Sequence, residues 1–187
     1  NPLHHWSHLE LKRYFGFEKH LTPDTAKEAW ELCNEKLRNH FSAKKIIQQS
    51  NVSLICTTDD PVDDLRWHKE IAADKSFGTR VIPAWRPDYI MKPQSEKFAD
   101  YLSKLSESAG IEISSWNSLL DALQKRLDFF EQMGCKLSDH GLMTVPFKPA
   151  GDAEIKRIFD KALLKQPLSL QEQEHYLTEI MLFLGRE

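Results

Sequence analysis

The chain has 187 residues, 41% of them hydrophobic, with 25 basic against 28 acidic side chains and a formal net charge of -3. That length suits one domain or a large piece of one, and the apolar content is enough for a core, which excludes a disordered chain. No stripe of Lys and Arg interleaves with aromatics, which argues against nucleic acid as a partner, and no apolar run approaches the roughly 18 residues of a membrane span.

No charged-then-apolar leader is visible, and Asn1 stands where an initiator Met would, as at a processing boundary. Cys33, Cys56 and Cys135 are an odd number at wide spacing without a C-x-x-C pair, which excludes a zinc knuckle or a redox motif. Cys56 and Cys135 fall inside predicted strands and read as small buried apolar groups, and a cytoplasmic location is the natural expectation.

In chain order, residues 1–50 read as a helical N-terminal segment. His4, His5 and His8 cluster there, and His4 or His5 shares a helical face with His8. No acidic third ligand follows at motif spacing, so the cluster reads as a partly buried helix start rather than a zinc site. Thr22-Pro23-Asp24 opens the next helix, with an N-cap and a first-turn proline. Ala26, Ala29, Trp30, Cys33 and Leu37 then form one stripe at helical spacing, predicted as core. Ser42 caps a short helix through Ile46 and Ile47.

Residues 51–88 hold two predicted strands and a connecting helix over Asp64 to Ala73. Residues 89–133 are longer than a standard crossover and read as a helical insertion that covers a rim. One helix runs from Ser95 to Ser106 and is ended by Ser108-Ala109-Gly110; a second is capped by Ser114 or Ser115, carries Leu119, Leu120, Leu123, Leu127 and Phe130 on its core face, and is ended by Gly134. Residues 134–187 hold a third strand and two helices, opened at Pro149-Ala150-Gly151-Asp152 and Pro167-Leu168-Ser169.

The three apolar runs share one grammar. Val52 to Cys56 leads into Thr57-Thr58-Asp59-Asp60-Pro61, Val81 to Trp85 into Arg86-Pro87-Asp88, and Gly134 to Leu137 into Ser138-Asp139-His140-Gly141. Such runs are expected of strands buried on both faces of a parallel sheet, joined by right-handed crossovers, with polar residues delivered to one rim. Asp59 or Asp60 either faces a site or caps the following helix. Arg86 is placed to clamp a carboxylate with its planar fork, or to pair with Asp88 or a neighbouring strand's acid. His140 stands beside Asp139, a carboxylate able to fix its tautomer. The G-x-G-x-x-G, G-x-x-x-x-G-K-[ST] and G-x-S-x-G signatures are absent.

Asn1-Pro2-Leu3-His4-His5-Trp6-Ser7-His8-Leu9-Glu10-Leu11 resembles a segment of the bacterial uronate (glucuronate) isomerase family. So do Thr57 to Pro61, Trp85-Arg86-Pro87-Asp88, Lys125-Arg126-Leu127-Asp128 and Gly134 to His140, in order along the chain. The resemblance implies an α/β fold, a (β/α)8 TIM barrel of the amidohydrolase superfamily, of which this chain is an internal segment with strands two to four and a helical insertion. It implies isomerisation of D-glucuronate to D-fructuronate and of D-galacturonate to D-tagaturonate. In that family a His-x-His pair and an Asp hold a divalent metal, zinc in this expectation, and neither site lies in this sequence, so no metal is expected on the segment itself. Carried onto these residues, Arg86, Asp59 and Asp88 bind substrate while His140 and Asp139 form a polarising or orienting pair. The partner is a hexuronate, with no nucleic acid or membrane, and the full enzyme is expected to form a homo-oligomer. Two readings stand beside this one: a metal-dependent hydrolase of the same superfamily, and a non-catalytic helical interaction module.

Overall fold

The computed structural model describes residues 1–39 and 41–187. They divide into two compact units, residues 1–54 with 75–80, and residues 55–74 with 81–187.

The first unit is built from helices. Helix α1 (Pro2–Glu10) starts where the Asn1 side chain accepts from Leu3 N–H and Pro2 supplies a fixed φ at the first turn. It runs into a π-helical turn, Leu11–Phe15, which Gly16 stops at φ 66°. Helix α2 (Ala26–Asn39) begins later than expected, because Thr22 to Thr25 form a separate turn held by the Thr25 Oγ1 bond from Thr22 N–H at 2.9 Å. Helix α3 (Ala43–Gln49) is capped by Ser42 as expected. The predicted core stripe of α2 is overturned: Trp30 is 71% and Leu37 49% exposed, and Ala29 is the helix's buried residue. Helical spacing identified an apolar face, but nothing in spacing says that a neighbour covers it. The partly buried helix start holds only at its C-terminal end: Ser7 and His8 are half-buried, with His8 accepting from Leu21 N–H, while His4 and His5 are exposed.

Strands β1 (Leu54–Cys56) and β2 (Arg80–Ile82) form a two-stranded sheet. The pairing continues past both strands in parallel register: Thr57 N–H donates to Ile82 O at 3.1 Å, Asp59 N–H to Ala84 O at 3.0 Å, and Arg86 N–H to Asp59 O at 2.9 Å. Asp59 and Trp85 form a parallel bridge, and Trp85 and Ser138 form another. The three apolar runs are therefore parallel neighbours in the order of the chain.

The third run is shorter than expected. Gly134, at φ 92°, turns the chain out of the preceding helix, and Cys135 N–H bonds back to Phe130 O at 3.0 Å. Its first residues thus belong to a helix end, and one bridge at Ser138 remains for the ladder. Burial on both faces also fails outside the second run. Ile82, Ala84 and Trp85 are buried, whereas Leu54 is 47% and Leu137 41% exposed. Cys56 is exposed and Cys135 half-buried, so neither is the buried apolar group expected.

In the second unit, α4 (Arg66–Ala73) follows β1, and α5 (Phe98–Ala109) and α6 (Trp116–Gln132) precede the third run. Helices α7 (Asp152–Leu163) and α8 (Leu170–Leu184) follow it. Gly110 ends α5 at φ 62°, and Ser115 caps α6 in a capping box with Ser118. The core lies among α5 to α8, where the Trp116 ring meets Phe159 at 5.9 Å and Tyr176 at 5.7 Å between centroids. Trp85 stands edge-on to Phe130 at 5.0 Å, which anchors the second run to α6.

Candidate active site

The polar residues that follow the three runs gather because the two parallel bridges bring Asp59, Trp85 and Ser138 side by side. Trp85 is turned into the core, so the next residue, Arg86, lies on the other face of the pleat, as does Asp139 after Ser138. Arg86 Nε accordingly lies 3.2 Å from Asp88 Oδ2 and 3.6 Å from Asp139 Oδ2. The Arg86 side chain stays 38% exposed. It lines an open cleft of about 460 Å³ with Asp59, Asp60, Asp63, Asp88 and Lys92. A guanidinium so placed, in a cleft that also holds Lys92, can receive a carboxylate.

Asp88 is itself fixed, because Gly141 N–H donates to its Oδ1 at 3.1 Å and its Oδ2 at 3.2 Å. A Cβ at position 141 would stand 2.6 Å from Asp88 Oδ2, so the close approach requires glycine. His140, the next residue back, is half-buried, with Nδ1 buried and without a partner. The Asp139 carboxylate pairs with Arg86, not with the His140 ring.

Asp59 is held from two sides: its Oδ2 accepts from Thr57 Oγ1 at 2.6 Å and from Ala84 N–H at 3.3 Å. Asp60 accepts from Val62 N–H at 3.1 Å and from the Tyr101 hydroxyl at 2.9 Å. Burial pushes the Asp60 carboxyl above its ordinary pKa, against the opposing pull of those two donors. Burial likewise pushes the Tyr101 phenol well up, with the Asp60 charge adding to it. Neither aspartate caps α4, contrary to the second of the two roles expected of Asp59 and Asp60. The N-cap is Leu65, at φ 52°, with no side-chain bond, and the Asp60 carboxylate instead closes a two-residue turn onto Val62.

That turn is clamped from α6. Arg126, 8% exposed, donates to Pro61 O at 2.7 Å, Asp63 O at 2.7 Å and Ser108 O at 3.2 Å. Its guanidinium lies 4.3 Å from the Phe129 ring centroid. The loop after β1 is thereby held rigid beside the cleft.

Asp59, Arg86, Asp88, Asp139 and His140 stand out in the sequence; His68, Tyr101 and Gly141 take their places only in the fold. A glycine straight after a histidine at a strand end was a readable signal for a close approach. His68 carried no signal, because only folding brings α4 against Thr57.

Among the described residues no three His, Cys, Asp or Glu side chains gather to hold a metal. The acids of the cleft are each engaged by Arg86, Thr57, Tyr101 or backbone N–H groups and do not converge on one point. This donor set does not fit a metal ion.

A family model described as glucuronate isomerase matches residues 1–187. The chain is 49% identical over 188 residues to uronate isomerase of Endomicrobium trichonymphae. It is equally similar, at 49%, to that of Lachnospira eligens, and 46% identical to that of Salmonella arizonae. The whole chain is covered in each case, and it spans 40% of the length of these relatives. The crystal structure of uronate isomerase from Thermotoga maritima superposes with a TM-score of 0.94 at 32% identity, covering 100% of this chain and 41% of that one. Glucuronate isomerase from Caulobacter crescentus, at 24% identity and a TM-score of 0.88 over 97% of this chain and 38% of that one, shares the fold.

Proposed function

The chain belongs to the glucuronate isomerase family, and from that premise we propose that it supplies part of the active site of a hexuronate aldose–ketose isomerase. The substrates are D-glucuronate and D-galacturonate, converted to D-fructuronate and D-tagaturonate. In this reading the parallel runs are strands two to four of a (β/α)8 barrel of the amidohydrolase superfamily, residues 89–133 are a helical insertion over the rim, and the enzyme is cytoplasmic. Zinc or another divalent ion, where the whole enzyme uses one, is held by residues outside this chain, and no step here runs through it. A homo-oligomer of the full enzyme belongs to the same proposal.

The observation that supports this most directly is the convergence of Arg86, Asp88 and Asp139 at the ends of adjacent parallel runs. Moving a carbonyl from C1 to C2 of a uronic acid requires proton transfer through an enediol, help for the developing oxyanion, and a cation for the carboxylate. Arg86 is that cation. Asp88 and Asp139 hold its guanidinium by charge from the Nε side, Asp59 holds sugar hydroxyls, and His140 polarises the reacting end.

The test is the full-length enzyme, purified from a host lacking its own isomerase and offered D-glucuronate, D-galacturonate, and lactone and amide analogues. Ketose formation from the uronates alone supports the reading; hydrolysis of the analogues without isomerisation overturns it. The 187-residue chain alone is expected to show no turnover.

A further inference from the structure

We infer that His68 is a positioning residue for Asp59, acting through the Thr57 hydroxyl; this rests on Asp59 being a substrate contact. Thr57 Oγ1 lies 2.6 Å from Asp59 Oδ2 and 2.7 Å from His68 Nε2, while His68 Nε2 and Asp59 Oδ2 are 3.8 Å apart. The hydroxyl stands between the other two groups.

A hydroxyl has one proton to donate, and a carboxylate only accepts. The 2.6 Å separation is the length of a charge-assisted O–H···O⁻ bond and far shorter than the 3.3 Å to Ile82 O, so the Thr57 proton points at Asp59. The contact with His68 must then run the other way, with Nε2–H donating to Thr57 Oγ1. That selects one tautomer and leaves Nδ1 bare. The environment agrees, since His68 Nδ1 is buried with no hydrogen-bond partner, where a second N–H would be stranded.

The direction of the chain, His68 to Thr57 to Asp59, has a consequence at the cleft. Asp59 Oδ2 is pinned by Thr57 Oγ1 and by Ala84 N–H at 3.3 Å. Oδ1 is the oxygen without a protein donor among the described residues. A carboxylate locked in this way offers one oriented acceptor, suited to a sugar hydroxyl. His68 is 8% exposed on α4 and lines, with Asp59 and Asp63, an open cleft of about 440 Å³, so its one bond to Thr57 is the link through which it reaches Asp59.

The test uses the full-length enzyme with D-glucuronate. Thr57→Val and His68→Leu keep bulk and remove one link each, and each is expected to lower kcat/KM about tenfold. The links act in series, so the double variant is expected to lose no more than either single one. Thr57→Ser and His68→Gln, which restore a hydroxyl and an N–H donor, are expected to recover most of the activity. Independently of any variant, NMR of 15N-histidine-labelled protein is expected to show His68 as the Nε2–H tautomer. Additive losses in the double variant, wild-type kinetics in His68→Leu, or an Nδ1–H tautomer would each overturn the inference. If Arg86→Met lost activity while the Thr57 and His68 variants did not, the inference would fail and the proposed function would stand. If unmodified enzyme did not isomerise uronates, the function would fail, and the tautomer would still decide the hydrogen-bond chain.

Discussion

Gly141 donates its N–H to both oxygens of the Asp88 carboxylate, and a Cβ built on it would fall 2.6 Å from Asp88 Oδ2 and 3.1 Å from Arg86 Nη2. Gly141→Ala is therefore expected to displace Asp88 and, with it, Arg86. The contacted atoms are ends of side chains, so the fold should yield locally and stability should change by about 1 kcal/mol. Misplacing the clamp should cost substrate turnover about ten- to a hundred-fold in kcat/KM. Wild-type kinetics in Gly141→Ala would show that the Arg86–Asp88 arrangement is not part of the site.

Arg86→Met keeps the apolar stem and removes the fork. The loss of a charge-assisted pair, about 1.5–3 kcal/mol, should lower kcat/KM for uronates about ten- to a hundred-fold. Arg86→Lys should recover only part of this, because an ammonium makes no two-pronged contact. Unchanged kinetics with a lower melting temperature would mark Arg86 as a structural partner of Asp88 and Asp139.

Arg126 donates to Pro61 O and Asp63 O in the turn after β1 and to Ser108 O at the end of α5. Arg126→Met should leave Pro61 O and Asp63 O unpaired and destabilise the second unit by about 3–5 kcal/mol, read as a fall in the denaturation midpoint. Arg126→Lys should remain well below wild type, since one ammonium cannot span all three acceptors. A shift under about 0.5 kcal/mol would refute the clamp.

Glu172 gives the chain a dependence on acid. Lys161, then the Ser169 N–H and Arg157, hold its carboxyl down to about 2, from an ordinary 4.5. A carboxyl with a depressed folded-state pKa contributes stability above its unfolded value and loses it as pH falls through the folded one. The contribution should be complete above about pH 5 and disappear between about pH 5 and 2. Glu172→Gln should lower the denaturation midpoint at pH 7 and flatten its fall over that window. Equal acid sensitivity in both proteins would exclude Glu172 as the source.

What the sequence by itself determined is mainly local. Helix ends were legible because Ser42, Ser115 and Ser169 cap with their own side chains and Gly110 takes up a left-handed turn, and these are interactions within a few residues. The order and direction of the three apolar runs were legible too, because helix-bearing connections force parallel pairing. Arg86, Asp88 and Asp139 were readable as candidates because each stands within three residues of the end of such a run.

Tertiary structure decided everything that depends on a distant neighbour. Trp30 lies on a well-formed apolar stripe and is nonetheless exposed, since periodicity describes one helix and burial needs two elements. The third run kept one bridge because Gly134 and Cys135 close the end of α6, a competition between helix cap and ladder for the same backbone groups. Asp60 bonds Tyr101 across 41 positions, and Arg126 reaches Pro61 across 65. His68 meets Thr57 only because α4 folds back on its strand. Contacts of that range have no period and no motif, and they are set by how packed elements cross.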